Sequence, residues 1–200
     1  RKATIITPAE AKRILMAMPE RSRRTGTWVR PLFIVLWETG LRPVTVLRLL
    51  APLHYSKGQK HLFITREIDK EGFERNVPLS PAARKALDRV CPKAGRLFDN
   101  RKGALKVYLR IALEKAGLSD RKISVYDFKH TRISIGANTP GVALAGVAHL
   151  VGHKYVSTTA LYVQSGETAA AAALRAMASP RFGGRSGGRS SRKRRAKGGT

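Results

Sequence analysis

Residues 151–163 read VGHKYVSTTALYV. A glycine–histidine pair opens the stretch, small hydroxyl residues follow, and Tyr162 comes nine positions after His153. A tyrosine on a helix is usually a half-buried packing residue. The alternative is that its hydroxyl is the reason for the segment, and the surrounding sequence has to choose between the two.

Upstream, VALAGVAHLVGH (142–153) reads as a short helix, and VSTTALYV (156–163) as another. SVYDFKHTRISIGANTPG (124–141) is a helix beginning near Tyr126, and positions 126, 129 and 130 are spaced to share one face. RKGALKVYLRIALEKAG (101–117) is a helix stopped by Gly117, and SPAARKALDRV (80–90) is one capped by Ser80. HLFITREIDKEGFERNVPLS (61–80) changes character: β-branched and aromatic residues flank DKEG, which reads as a β-hairpin. PVTVLRLLA (43–51) is a short helix. TWVRPLFIVLWETG (27–40) is a strongly apolar one ending at Gly40. TPAEAKRILMAM (7–18) opens with a capping box, Thr7 as the cap, Pro8 first in the helix and Glu10 three after the cap. Beyond Tyr162, ETAAAAALRAMA (167–178) reads as an Ala-rich helix with Leu174 and Met177 on one side. About nine helices and one small hairpin make a mainly α, α+β domain.

Composition limits the partner. The 200 residues carry 39 Lys+Arg against 13 Asp+Glu, a net charge of +26. A surplus of that size points to a polyanion, nucleic acid first and an anionic membrane surface second. Ribosomal and chromatin proteins are equally basic, so charge alone selects no activity. Residues 181–200, RFGGRSGGRSSRKRRAKGGT, hold eight Lys/Arg and no acid. They cannot bury enough surface to offset their ordering entropy, so they are expected to be a disordered, sequence-blind phosphate binder behind a domain of residues 1–180. Cys91 is the single cysteine, which excludes an internal disulfide. No apolar run reaches the roughly 20 residues of a membrane helix, and no apolar segment behind the basic start makes a signal peptide. Residue 1 is not Met and is expected to be a cut inside a longer chain. A reducing cytoplasm or nucleoid fits. His149 and His153 stand four apart, a zinc-like spacing, but no third ligand is evident.

Polar residues collect at the ends of these elements: Arg42 in ETGLRP, Lys70 in the hairpin turn, Tyr126, Lys129 and His130 in YDFKH, His153 in GHK, then Tyr162. The order TGLRP, K…G…R.VPLS, YDFKHT, LVGH and a tyrosine nine residues later resembles the catalytic domain of tyrosine recombinases, the phage integrase family, over about residues 5–178. Each motif is weak alone, and five in order are specific.

The resemblance implies a chemistry. A tyrosine hydroxyl attacks a DNA phosphodiester, forming a 3′-phosphotyrosyl link and a free 5′-hydroxyl, and a second 5′-hydroxyl reverses the step. The covalent link keeps the bond energy, so no ATP, metal or other cofactor is implied, and no small-molecule substrate. By resemblance Tyr162 is the nucleophile, and Arg42 forks two phosphate oxygens. Lys70 protonates the leaving oxygen. His153 hydrogen-bonds the phosphate, and Tyr126 and Lys129 complete the set. Arg75, His130, Arg132 and Lys154 are expected to contact DNA. The partners implied are double-stranded DNA and three further copies in a tetramer on two duplexes, with no membrane.

Two positions depart from the family pattern. Tyr126-x-x-Lys129 stands where His-x-x-Arg is usual, and lysine keeps the charge but loses the fork. Thr45 stands where an acid usually holds the first arginine. The family also carries a separate helical domain ahead of this one. A catalytically impaired DNA-binding module of the same fold is the second reading, and a type IB topoisomerase-like nicking and resealing enzyme the third.

Overall fold

A computed structural model describes residues 3–163. The Ala-rich segment 167–178 and the basic segment 181–200 lie outside the described residues, so the expectations placed on them have no structural counterpart here.

Eight helices are present among the described residues: α1 Pro8–Ala17, α2 Arg30–Thr39, α3 Pro43–Leu47, α4 Pro81–Val90, α5 Lys102–Lys115, α6 Val125–Ala137, α7 Leu144–Val151 and α8 Val156–Ala160. Their starts follow local chemistry. Thr7 and Glu10 form the capping box of α1, with Thr7 N donating to Glu10 Oε2 at 2.8 Å. Ser80 Oγ accepts from Ala83 N at the head of α4. Ser124 and Asp127 make a second capping box at α6. α2 ends on Gly40 in the left-handed region, where a Cβ is unfavourable and glycine is the usual solution.

α2 is the central element. Leu32, Phe33, Val35, Leu36 and Trp37 are all buried. It packs against α1, α4 and α6. Phe128 of α6 meets Phe33 and Trp37 edge-on, with ring centroids 5.7 Å and 6.1 Å apart. One apolar core runs from Ile6 to Phe128. A smaller cluster, Ile133, Val147 and Val151, joins α6 to α7, and Tyr162 packs against it.

The sheet content corrects the sequence reading. Among the described residues there are two separate two-stranded antiparallel sheets, the expected hairpin and a second one. β2 (His61–Ile64) and β3 (Arg75–Pro78) form the expected hairpin, with Ile64 opposite Arg75. β1 (Leu50–Ala51) pairs with β4 (Gly95–Arg96), Leu50 opposite Arg96 and Ala51 opposite Gly95, strands far apart in the sequence. The helix expected over 43–51 therefore stops at Leu47. Leu49, buried in the core, gives its carbonyl to Leu97 N, and such a long-range ladder leaves no local trace in sequence.

Candidate active site

The site forms where α7 ends. The last carbonyls of a helix have no partner within it, and they carry the negative end of the helix dipole. Here three consecutive ones receive three cations. Arg75 Nε donates to Leu150 O at 3.5 Å, Lys129 Nζ to Val151 O at 2.9 Å, and Arg42 Nη1 to Gly152 O at 3.4 Å. Gly152 turns the chain through the left-handed region (φ 70°), which sends His153 back over the same end.

Asp69 balances this charge. Its Oδ1 lies 3.1 Å from Arg75 Nη1 and 4.0 Å from Arg42 Nη1. Its Oδ2 accepts from the backbone N–H groups of Glu71 and Phe73 and so shapes the β2–β3 loop. Glu71 takes Arg42 Nη2 at 3.1 Å. The acid missing at Thr45 is thus supplied from the hairpin, and Thr45 itself is buried. Asp69 and Glu71 were not singled out in the sequence; the DKEG turn was the only signal, since an aspartate at a turn commonly caps the N–H groups that follow.

Burial and like charge set the titration of the cluster. Lys129 is 5 % exposed. Desolvation, then Arg42 and Arg75, bring its ammonium down to about 7, against a smaller opposing pull from Asp69 and Glu71. His153 is pushed down to about 4 by burial, then by Lys129 and Arg42. It is therefore a neutral imidazole at pH 7, with Nδ1 3.0 Å from Thr159 Oγ1.

Tyr162 is not sunk in hydrocarbon. Its hydroxyl is 2.6 Å from His130 Nδ1, and its ring centroid is 6.4 Å from that of His153. Burial raises the pKa of its phenol above the ordinary value. Asn138 Nδ2 donates to its backbone carbonyl at 2.8 Å.

Of the residues singled out, Arg42, Lys129, His153 and Tyr162 come together, with His130 beside the phenol. Lys70 is exposed in the β2–β3 loop, one residue from both Asp69 and Glu71, with no hydrogen-bond or ion-pair partner among the described residues. Tyr126 does not join them. It is 42 % exposed and lines a cavity of about 690 Å³ between α5 and the start of α6, with Leu105, Leu109 and Pro43. Arg75, expected on DNA, is an internal ion pair, its side chain 1 % exposed. Arg132 donates to Glu38 O at 3.3 Å and sits over Trp37, closing the end of α2. Lys154 is exposed and lies beside the Tyr155 ring.

Comparison with known proteins shows the family and the fold. The model of the phage integrase family matches residues 4–168, and the chain belongs to that family. The fold is shared with solved recombinases of low identity. The structure of XerA recombinase matches at 18 % identity and TM-score 0.60, covering 91 % of this chain and 68 % of that one. XerH site-specific recombinase bound to its difH substrate matches at 17 % and 0.66, covering 86 % and 53 %. The catalytic domain of bacteriophage HP1 integrase matches at 18 % and 0.63, covering 87 % and 95 %. The chain thus spans about half the length of XerH and nearly the whole of an isolated catalytic domain. No curated protein matches the sequence.

Proposed function

We propose that the chain is the catalytic domain of a tyrosine recombinase, cutting and rejoining double-stranded DNA through a 3′-phosphotyrosyl intermediate. The single observation that carries this reading is the meeting of Arg42, Lys129 and His153 at the end of α7 beside the Tyr162 hydroxyl. Attack on a phosphodiester puts extra negative charge on the non-bridging oxygens, and preorganised donors in a partly dry site stabilise it. Arg42 supplies the planar fork. Lys129 supplies a charge whose proton is held more firmly once a phosphate dianion-like transition state sits beside it, because an opposite charge favours the ammonium. Neutral His153 donates its remaining N–H. Lys70, on the exposed loop, reaches the leaving 5′-oxygen and protonates it.

Family membership supports the remaining parts of the reading. The enzyme works as a tetramer on two duplexes in the cytoplasm, at the nucleoid, and Lys154 with the basic residues of 181–200 adds sequence-blind phosphate affinity. The test is a nicked duplex that traps the covalent complex. The wild-type chain is expected to form a protein–DNA adduct, and Tyr162→Phe to bind DNA without forming one. An adduct from Tyr162→Phe would remove the nucleophile assignment.

A further inference from the structure

We propose that His130 is the general base that takes the proton from Tyr162 as its oxygen attacks DNA, a role that rests on Tyr162 being the nucleophile. The geometry is direct. His130 Nδ1 and the Tyr162 hydroxyl are 2.6 Å apart, and the two rings lie nearly parallel, 19° between planes with centroids 5.8 Å apart. With Nδ1 as acceptor, the neutral ring carries its proton on Nε2.

The other candidates are placed for different work. Tyr126 occupies the usual histidine position but lines the α5–α6 cavity. His153 commits Nδ1 to Thr159 Oγ1, and its centroid is farther from the phenol at 6.4 Å. Lys129 points its Nζ at the Val151 carbonyl. The groups facing His130 are Asp127 and Lys129 on its own helix, His153 from the α7–α8 junction and Tyr162 itself. Burial is the largest influence and lowers the His130 pKa, against the pull of Asp127 and with a smaller push from Lys129 in the same direction, so the neutral ring is favoured and ready to accept. The phenol needs such a partner because burial makes it harder to ionise.

The step balances without a further reactant. The Tyr162 O–H bond breaks and its proton passes to Nδ1. The phenolic oxygen forms the O–P bond, the bond from phosphorus to the 5′-oxygen breaks, and that oxygen takes a proton from Lys70. In rejoining, a 5′-hydroxyl gives its proton to Lys70 as its oxygen bonds to phosphorus, the bond from phosphorus to the phenolic oxygen breaks, and the imidazolium returns its proton to that oxygen.

The experiment compares the whole chain, His130→Ala, His130→Asn and Lys70→Ala on the nicked duplex, and on the same duplex with sulfur replacing the bridging 5′-oxygen. A thiolate leaves without a proton, so sulfur bypasses an acid but not a base. His130→Ala and His130→Asn are expected to cleave about 10²- to 10⁴-fold more slowly, with DNA affinity within a few-fold of wild type, no rescue by sulfur, and partial rescue of the alanine variant by added imidazole. Lys70→Ala is expected to be rescued by sulfur. The wild-type rate falls at acid pH as His130 takes up a proton, and this limb is absent from His130→Ala in imidazole-free buffer. Wild-type rates in both histidine variants, rescue by sulfur, or a loss confined to DNA affinity would overturn the assignment. Tyr162→Phe, run alongside, reads the nucleophile separately: an adduct there overturns Tyr162 whatever the histidine variants do.

Discussion

Lys129 Nζ, on α6, donates to the carbonyl of Val151, the last residue of α7, at 2.9 Å. An ammonium buried in this way is held against its own desolvation by a helix end and two acids, and it titrates near neutrality. Lys129→Met is expected to lower cleavage about 10²- to 10³-fold, the usual loss for one transition-state donor. It also tests the titration. The folded state holds this proton less tightly than the unfolded state, so between about 7 and the ordinary lysine value of 10.5 the unfolded chain binds more protons and wild-type stability rises with pH. Thermal melts across that window should show the rise in wild type and a flatter curve in Lys129→Met. Parallel curves would contradict the buried, depressed ammonium.

Asp69→Asn removes one partner of a pair whose side chains are both 1 % exposed. Breaking such a pair leaves a buried guanidinium without its counter-charge, and a loss of about 3 kcal/mol is expected in chemical denaturation. The same change frees the β2–β3 loop around Lys70, so cleavage falls further than stability alone explains. An unchanged denaturation midpoint would show that Arg75 finds another partner.

Gly152→Ala combines two faults. The residue has φ 70°, and a Cβ there would fall on the Arg75 guanidinium. Gly58→Ala is the control, with φ 88° and open space around the added carbon. The control is expected to cost about 1 kcal/mol for the backbone alone, and Gly152→Ala clearly more, with loss of cleavage because Arg42 and His153 flank the displaced turn. Equal melting temperatures for the two variants would remove the steric part.

Glu71→Gln acts the other way. The carboxylate sits on Arg42 Nη2 where a phosphate oxygen would bind, and its side chain is 37 % exposed. An exposed pair of this kind is worth about 0–1 kcal/mol, so DNA affinity should rise by less than about tenfold, most visibly at low salt. Weaker binding in the glutamine variant would mean that Glu71 orients Arg42 instead of occupying it.

Much of the local structure was legible in the residues. Thr7 with Glu10, Ser80 and Gly40 marked helix ends that the structure keeps, because capping is satisfied within a few residues. The hairpin around DKEG was legible for the same reason. The β1–β4 sheet was not, since Leu50 and Arg96 meet only when the core between them is formed. Arg75 and Arg132 read as surface cations, and burial against Asp69 and the end of α2 gives both an internal role.

The chain order of TGLRP, K…G…R.VPLS, YDFKHT, LVGH and Tyr162 was enough to place the protein in its family and to single out Arg42, Lys129, His153 and Tyr162 as candidates, because spacing along helices and turns is a local property. Which side chains face one another depended on packing α6 against α7. That contact stacks Arg75, Lys129 and Arg42 on three successive carbonyls, brings Asp69 in from the hairpin, turns Tyr126 outward and sets His130 against the phenol. Distances between elements far apart in the chain arise from how the core closes, and no pattern in the residues of one element encodes them.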